Sequence, residues 1–118
     1  MNDPEFRELN HTERAIVAHL LKIPFPGSED VAEQFQHALI RRLDDNGSVD
    51  FLIKTDTKAR VQNRVPVEAE GEDLDGTTIH VLLHVIGGIA RGLEVYKEDG
   101  SSVIKMPEPS KLRLFSPA

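Results

Sequence analysis

The residues best suited to chemistry lie in and around one alternating stretch, His80-Val81-Leu82-Leu83-His84, with Glu68 and Glu94 in flanking segments of the same character. Two histidines at this spacing on a helix can share a zinc ion, with a glutamate between them as base, but no glutamate stands between these two. Ile79, Val81, Val85 and Ile86, bounded by glycines, favour a strand. At roughly 3.3 Å per residue the histidines are then about 13 Å apart, too far for one ion. A hairpin with Ile86-Gly87-Gly88 as its turn sets His80 opposite Glu94, and Glu68 comes beside His80 if its own segment pairs on the other side. His80, Glu94, Glu68 and His84 therefore make the candidate binding face. Its carboxylates would stabilise a charged imidazole, and His80 with Glu94 and Glu68 is where adjacent strands would offer a metal ion its ligands. The plainer reading is a salt-bridged histidine on a half-exposed sheet face. No catalytic residue, metal ligand or cofactor is assigned.

Asp73-Leu74-Asp75-Gly76-Thr77 spells the DxDGT signature of haloacid-dehalogenase-type phosphatases, in which one aspartate attacks phosphorus and the second handles the leaving-group proton. That chemistry needs the motif at the end of a buried, apolar strand. Here it follows Glu68-Ala69-Glu70-Gly71-Glu72, and too little chain remains downstream for the rest of such a fold. The stretch reads as an acidic turn, with Asp and Gly at turn-favoured positions. As a calcium loop it fails too, because Thr78 stands where the sharp-turn glycine belongs and His84 where the bidentate glutamate belongs. His11, His19 and His37 read as helix-surface residues. Lys54, Lys58, Arg60 and Arg64 read as a solvated loop, without the aromatic interleaving of a single-strand binding platform.

The elements that position these residues follow from periodicity. Asn10 with Glu13 has capping-box spacing, and Ile16, Val17, Leu20 and Leu21 continue as a helical stripe that Pro24 and Pro26-Gly27 end. Ser28 reads as the next N-cap, followed by Glu29 and Asp30, with Val31, Phe35 and Ala38 buried and an end near His37 or Ala38. From Leu39 the period becomes two. A three-residue turn, Asp45-Asn46-Gly47, pairs Leu43 with Val49, Arg41 with Phe51 and Leu39 with Ile53, a cleaner pattern than a two-residue Asn-Gly turn gives. Thr55 to Arg64 is a polar loop, and Val65 to Glu70 a short strand with Pro66 at its start or on an edge. Thr77–Val85 and Ile89–Tyr96 form the central hairpin, its aliphatic face broken only by Arg91. Val103-Ile104 reads as a short strand and Leu112–Phe115 as a last one. The expected fold is α+β: two N-terminal helices on one face of an antiparallel, meander-like sheet of about five strands. Residues 1–118 read as a single domain, helical over about 10–38 and sheet over about 39–115.

Composition narrows the function classes. A chain of 118 residues with 39% hydrophobic and 29% charged content is of globular type. A net charge of −6 repels phosphate backbones, so no nucleic-acid partner is expected. The absence of cysteine removes disulfides, thiolate nucleophiles and thiolate metal sites together. Met1-Asn2-Asp3-Pro4-Glu5 has neither the basic nor the apolar region of a signal peptide, and no apolar run is long enough to span a bilayer, so the expected compartment is the cytoplasm and no membrane partner is expected.

Val65-Pro66-Val67-Glu68-Ala69-Glu70-Gly71, then Asp75-Gly76-Thr77-Thr78-Ile79-His80-Val81-Leu82-Leu83-His84-Val85, then Leu93-Glu94-Val95-Tyr96 with Glu98-Asp99-Gly100, resemble a family of small, uncharacterised bacterial proteins. The helix pair around Pro26-Gly27 is similar too, so the resemblance covers most of the chain. It implies a bacterial source and a standalone domain, and it transfers no catalytic residue. The leading expectation is a non-enzymatic binding or interaction protein, homodimeric through the sheet face or an edge. The alternatives are a small metal-dependent or acid–base enzyme on the His80/Glu94 face, and an accessory or immunity-type protein that blocks a basic partner with its acidic surface.

Overall fold

The computed structural model describes residues 5–117; residues 1–4, where the signal-peptide question falls, and residue 118 lie outside the described residues. The elements in chain order are β1 (Arg7–Glu8), α1 (His11–Leu20), α2 (Ser28–Gln34) running on as a 3-10 turn (Phe35–His37), β2 (Leu39–Arg42), β3 (Val49–Leu52), β4 (Val67–Glu72), β5 (Thr78–Ile86), β6 (Ile89–Lys97), a 3-10 turn (Pro109–Lys111) and β7 (Arg113–Phe115). The fold is α+β, with two short helices and one antiparallel sheet of seven strands in the order β1-β2-β3-β6-β5-β4-β7. The expectation of about five strands falls short at the edges. β1 has two residues, too few to leave a periodic signal, and β7 forms at the segment read as a last strand. Val103-Ile104, expected as a strand, joins no ladder.

The capping box at α1 forms: Asn10 Oδ1 accepts from the Glu13 amide and Glu13 Oε1 from the Asn10 amide, both at 2.8 Å. Arg7 donates to both Glu13 carboxylate oxygens at 2.7 and 2.9 Å, which ties β1 to the helix start. At α2 the cap is Gly27 rather than Ser28, which becomes the first helical residue. Gly27 has φ +89°, and a Cβ there would sit 3.1–3.2 Å from the Arg60 backbone, so chain approach as well as conformation asks for glycine. Val17, Leu20, Val31 and Phe35 share one core with the inward residues of the sheet, among them Ile40, Phe51, Val67, Ile79, Val81, Leu83 and Val95. Phe35 meets Phe51 edge to face with ring centroids 4.8 Å apart.

Both hairpin registers differ from the sequence reading. In β2–β3, Arg41 pairs with Asp50, Ile40 with Phe51 and Leu39 with Leu52, one residue away from the expected pairing. Asp44 causes the shift. Its carboxylate accepts the amides of Asn46, Gly47 and Ser48 and closes a four-residue loop between Leu43 and Ser48. Ile40 therefore points into the core and Leu43 is 55% exposed.

In the central hairpin Gly87 and Gly88 alone make the turn, with φ of +62° and +82°. The extra residue expected in the turn sits instead in β6: Val85 pairs with Ala90 and His84 with Gly92, leaving Arg91 as a bulge. The bulge turns Arg91 to solvent, not onto the apolar face, while Leu93 and Val95 stay inward. Gly92 follows it because a Cβ there would lie 2.6 Å from the Val49 carbonyl oxygen.

Candidate functional site

The alternation of β5 holds: Ile79, Val81, Leu83 and Val85 are buried, and His80, Leu82 and His84 face the other way. Directly paired residues of neighbouring strands share a face. One row across the outer face runs Arg113–Glu70–His80–Tyr96, the next Phe115–Glu68–Leu82–Glu94, and a third His84–Gly92–Asp50–Arg41. His80, Glu94, Glu68 and His84 thus share one face, as the sequence predicts, but not in the predicted pairs. Because the two-glycine turn and the bulge each move the register by one, Glu94 lies opposite Leu82, two residues from the expected His80, and reaches His84, with Nε2 to Oε1 2.9 Å. His80 lies opposite Tyr96 and stacks on it, centroids 4.9 Å apart and planes 18° apart. Its ring nitrogens face Glu70 at 3.9 Å and Glu98 at 3.7 Å, not Glu94 or Glu68. Glu68 lies between Leu82 and Phe115. The metal constellation of His80, Glu94 and Glu68 is therefore not assembled, and among the described residues no group of three or more His, Asp or Glu side chains is placed to hold a metal ion.

Most charges on this face are already matched. Arg41 donates to Asp50 at 2.9 Å and lies 4.7 Å from the Phe6 ring centroid, and Arg113 donates to Glu72 at 3.0 Å and sits 3.8 Å from Glu70. Arg64 and Arg91 form no ion pair among the described residues. They flank a shallow depression above Gly92, with Leu43, Ile86 and His84 along it. His84 Nδ1 is buried without a hydrogen-bond partner.

The DxDGT stretch does more than turn the chain. Lys97 follows Val95 on the inward side of β6 and is 2% exposed. Its ammonium lies 2.6 Å from Asp75 and 3.2 Å from Asp73, whose side chain is fully buried. Asp73 also accepts the amides of Leu74 and Ile104 at 2.7 Å and of Lys105 at 2.9 Å. Burial alone would push the Asp73 carboxyl up, but the amides of Ile104, Lys105 and Leu74, with Lys97, outweigh it and hold the group well below the usual carboxylate range. The hydrogen bond to Lys97 likewise lowers Asp75, and the bond to Asp75 raises Lys97. With every oxygen engaged in this way, Asp73 is an anchor for the segment after β6 rather than a free nucleophile. Sequence reading missed this cluster, although a lysine at an inward position of a strand, two residues after Val95, was its visible signal.

Residues 6–107 match the sequence model of one family, described as "Domain of unknown function (DUF6984)". No curated protein and no solved structure matches the chain.

Proposed function

We propose that this chain, which belongs to the DUF6984 family, is a non-enzymatic interaction domain that binds a second copy of itself through the outer face of its sheet, the face of His80, His84, Glu68 and Glu94. One observation carries the reading. Four of its large apolar side chains, Leu43, Ile86, Tyr96 and Phe115, are 40–55% exposed and stand among charges that are mostly paired already. Both sheet edges are too short to template strand addition, at two residues in β1 and three in β7, which favours the face over an edge.

The charge layout suits a second copy. Glu68, Glu70 and Glu98 lie around His80 and Leu82, whereas the unpaired Arg64 and Arg91 lie toward Gly92, where Asp50 is held by Arg41 and Glu94 by His84. A two-fold axis through the face sets each acidic half over the partner's basic half, and Arg64 and Arg91 then gain the carboxylates they lack within the chain. Sedimentation equilibrium tests this. A dimer is expected for the unmodified chain, and Tyr96→Arg is expected to give a monomer with an unchanged circular dichroism spectrum. A strict monomer at millimolar chain concentration would overturn the reading.

An acid–base enzyme is the rival reading, supported by the His84–Glu94 contact at 2.9 Å beside the unpartnered His84 Nδ1. The other acids and the hydroxyl along the depression are engaged elsewhere, Asp50 by Arg41, Asp44 by the Asn46, Gly47 and Ser48 amides, and Ser48 Oγ by Val95, and the depression is open and shallow.

A further inference from the structure

A second hollow lies on the opposite side of the sheet, between α1, the inner face and the segment that follows β6. Its volume is about 160 Å³, and its walls are aliphatic: Ile16 from α1, Ile40, Val49, Val81 and Val95 from four strands, and Met106. Protein interiors close-pack, so a void of this size leaves its lining atoms without contact partners. An apolar cavity of about 150 Å³ stays dry and accepts a benzene-sized guest.

The rim is polar, but its bonding is committed elsewhere. Glu13 is held by Arg7 and by the Asn10 amide, Arg42 by Asp45 and the Asp44 carbonyl, and Asn46 Oδ1 accepts the Val103 amide. No charge is left over to fix an ionic ligand. Residues 103–106 form a strap that reaches the hollow, tied to Asn46 through the Val103 amide and to Asp73 through the Ile104 and Lys105 amides. Met106, a flexible and polarisable side chain, ends the strap and lines the hollow. The buried Asp73–Lys97 pair thus serves to hold this strap in place.

We infer that the hollow between α1 and the sheet is a binding site for a small uncharged apolar molecule, about the size of a single aromatic ring, admitted past Met106. The inference is independent of the outer face.

Amide-resolved NMR titration of the full chain with benzene, and separately with benzoate, tests it. Benzene is expected to bind saturably with a Kd of about 1 mM or tighter. Its shifts should centre on Gly47, Val49, Val95 and Met106, and the unfolding temperature should rise with ligand concentration. Benzoate should bind at least about tenfold more weakly, because its carboxylate would lose water without gaining a partner. Ile16→Phe fills the hollow from its helix side and Val95→Leu from its sheet side; either is expected to abolish benzene binding without lowering the unfolding temperature. The inference is overturned if benzene shifts do not saturate or centre on Leu82 and Tyr96, or if benzoate binds as well as benzene. It is equally overturned if both filling variants are destabilised, as overpacking of a closed core would be.

Discussion

Burying the Lys97 ammonium against Asp73 takes charges out of water, and this is tolerable only because each gains several partners at once. Asp73 has three backbone amides besides the lysine, so its ionised form is favoured strongly in the folded chain and not in the unfolded one. The consequence for pH has a definite sign. A carboxyl depressed by folding stabilises the native state above its unfolded value of about 4, and that contribution fades as pH falls through the lower folded value. Stability measured by urea denaturation should therefore drop steeply below about pH 4. Asp73→Asn should be less stable at neutral pH, and its acid limb should be shallower by about one proton. An acid limb identical to that of the unmodified chain would refute this role. The motif's residue types were plain in the sequence. Their partners were not, because Lys97, Ile104 and Lys105 come to Asp73 only through the pairing of β5 with β6 and the return of the strap.

At the scale of elements, helices and strands were legible and their registers were not. Capping-box spacing at Asn10 and the stripe through Val17 and Leu20 located α1, and alternation located β4 and β5 with the correct inward residues and β6 with Leu93 and Val95 inward but Arg91 on the wrong face. Registers depend on loop chemistry that competes within one residue. The Asp44 carboxylate selects a four-residue loop, and the Arg91 bulge lets a two-glycine turn coexist with an apolar face. The shorter turn and the bulge each displace the pairing by one residue, and the two together keep every side chain on its face while exchanging His80–Glu94 for His84–Glu94, so the pairs in the candidate site fell with the register. Docking of α2 on the hairpin was also invisible. Gln34, 4% exposed, donates to the carbonyls of Thr57 and Gly88 and accepts the Ala90 amide at 3.0 Å. Gln34→Leu keeps the volume but strands those groups, and should cost about 1–3 kcal/mol. Chemical denaturation measures that loss, and hydrogen exchange at Ala90 should speed up with it. An unaltered Ala90 exchange rate would show that the amide has another partner.

For the whole molecule, the helices lie on one side of the sheet and share its core, while the other side keeps exposed apolar groups among paired charges. No described helix is long and apolar enough to cross a membrane. If acidic and basic halves meet in a two-fold stack, raising the salt from about 0.05 to 0.5 M should weaken association roughly three- to tenfold; a dimer strengthened by salt would point to a purely apolar contact. The sequence by itself determined the α+β class, the capped start of α1, the two unlike faces of β5 and the common face of His80, His84, Glu68 and Glu94. These rest on periodicity and capping, which act between residues a few positions apart. Only the tertiary structure decided which histidine meets which carboxylate, that Lys97 is buried on Asp73, and that a hollow remains under α1. Those outcomes depend on register and on contacts between distant segments, where a shift of one residue changes every partner and local pattern is silent.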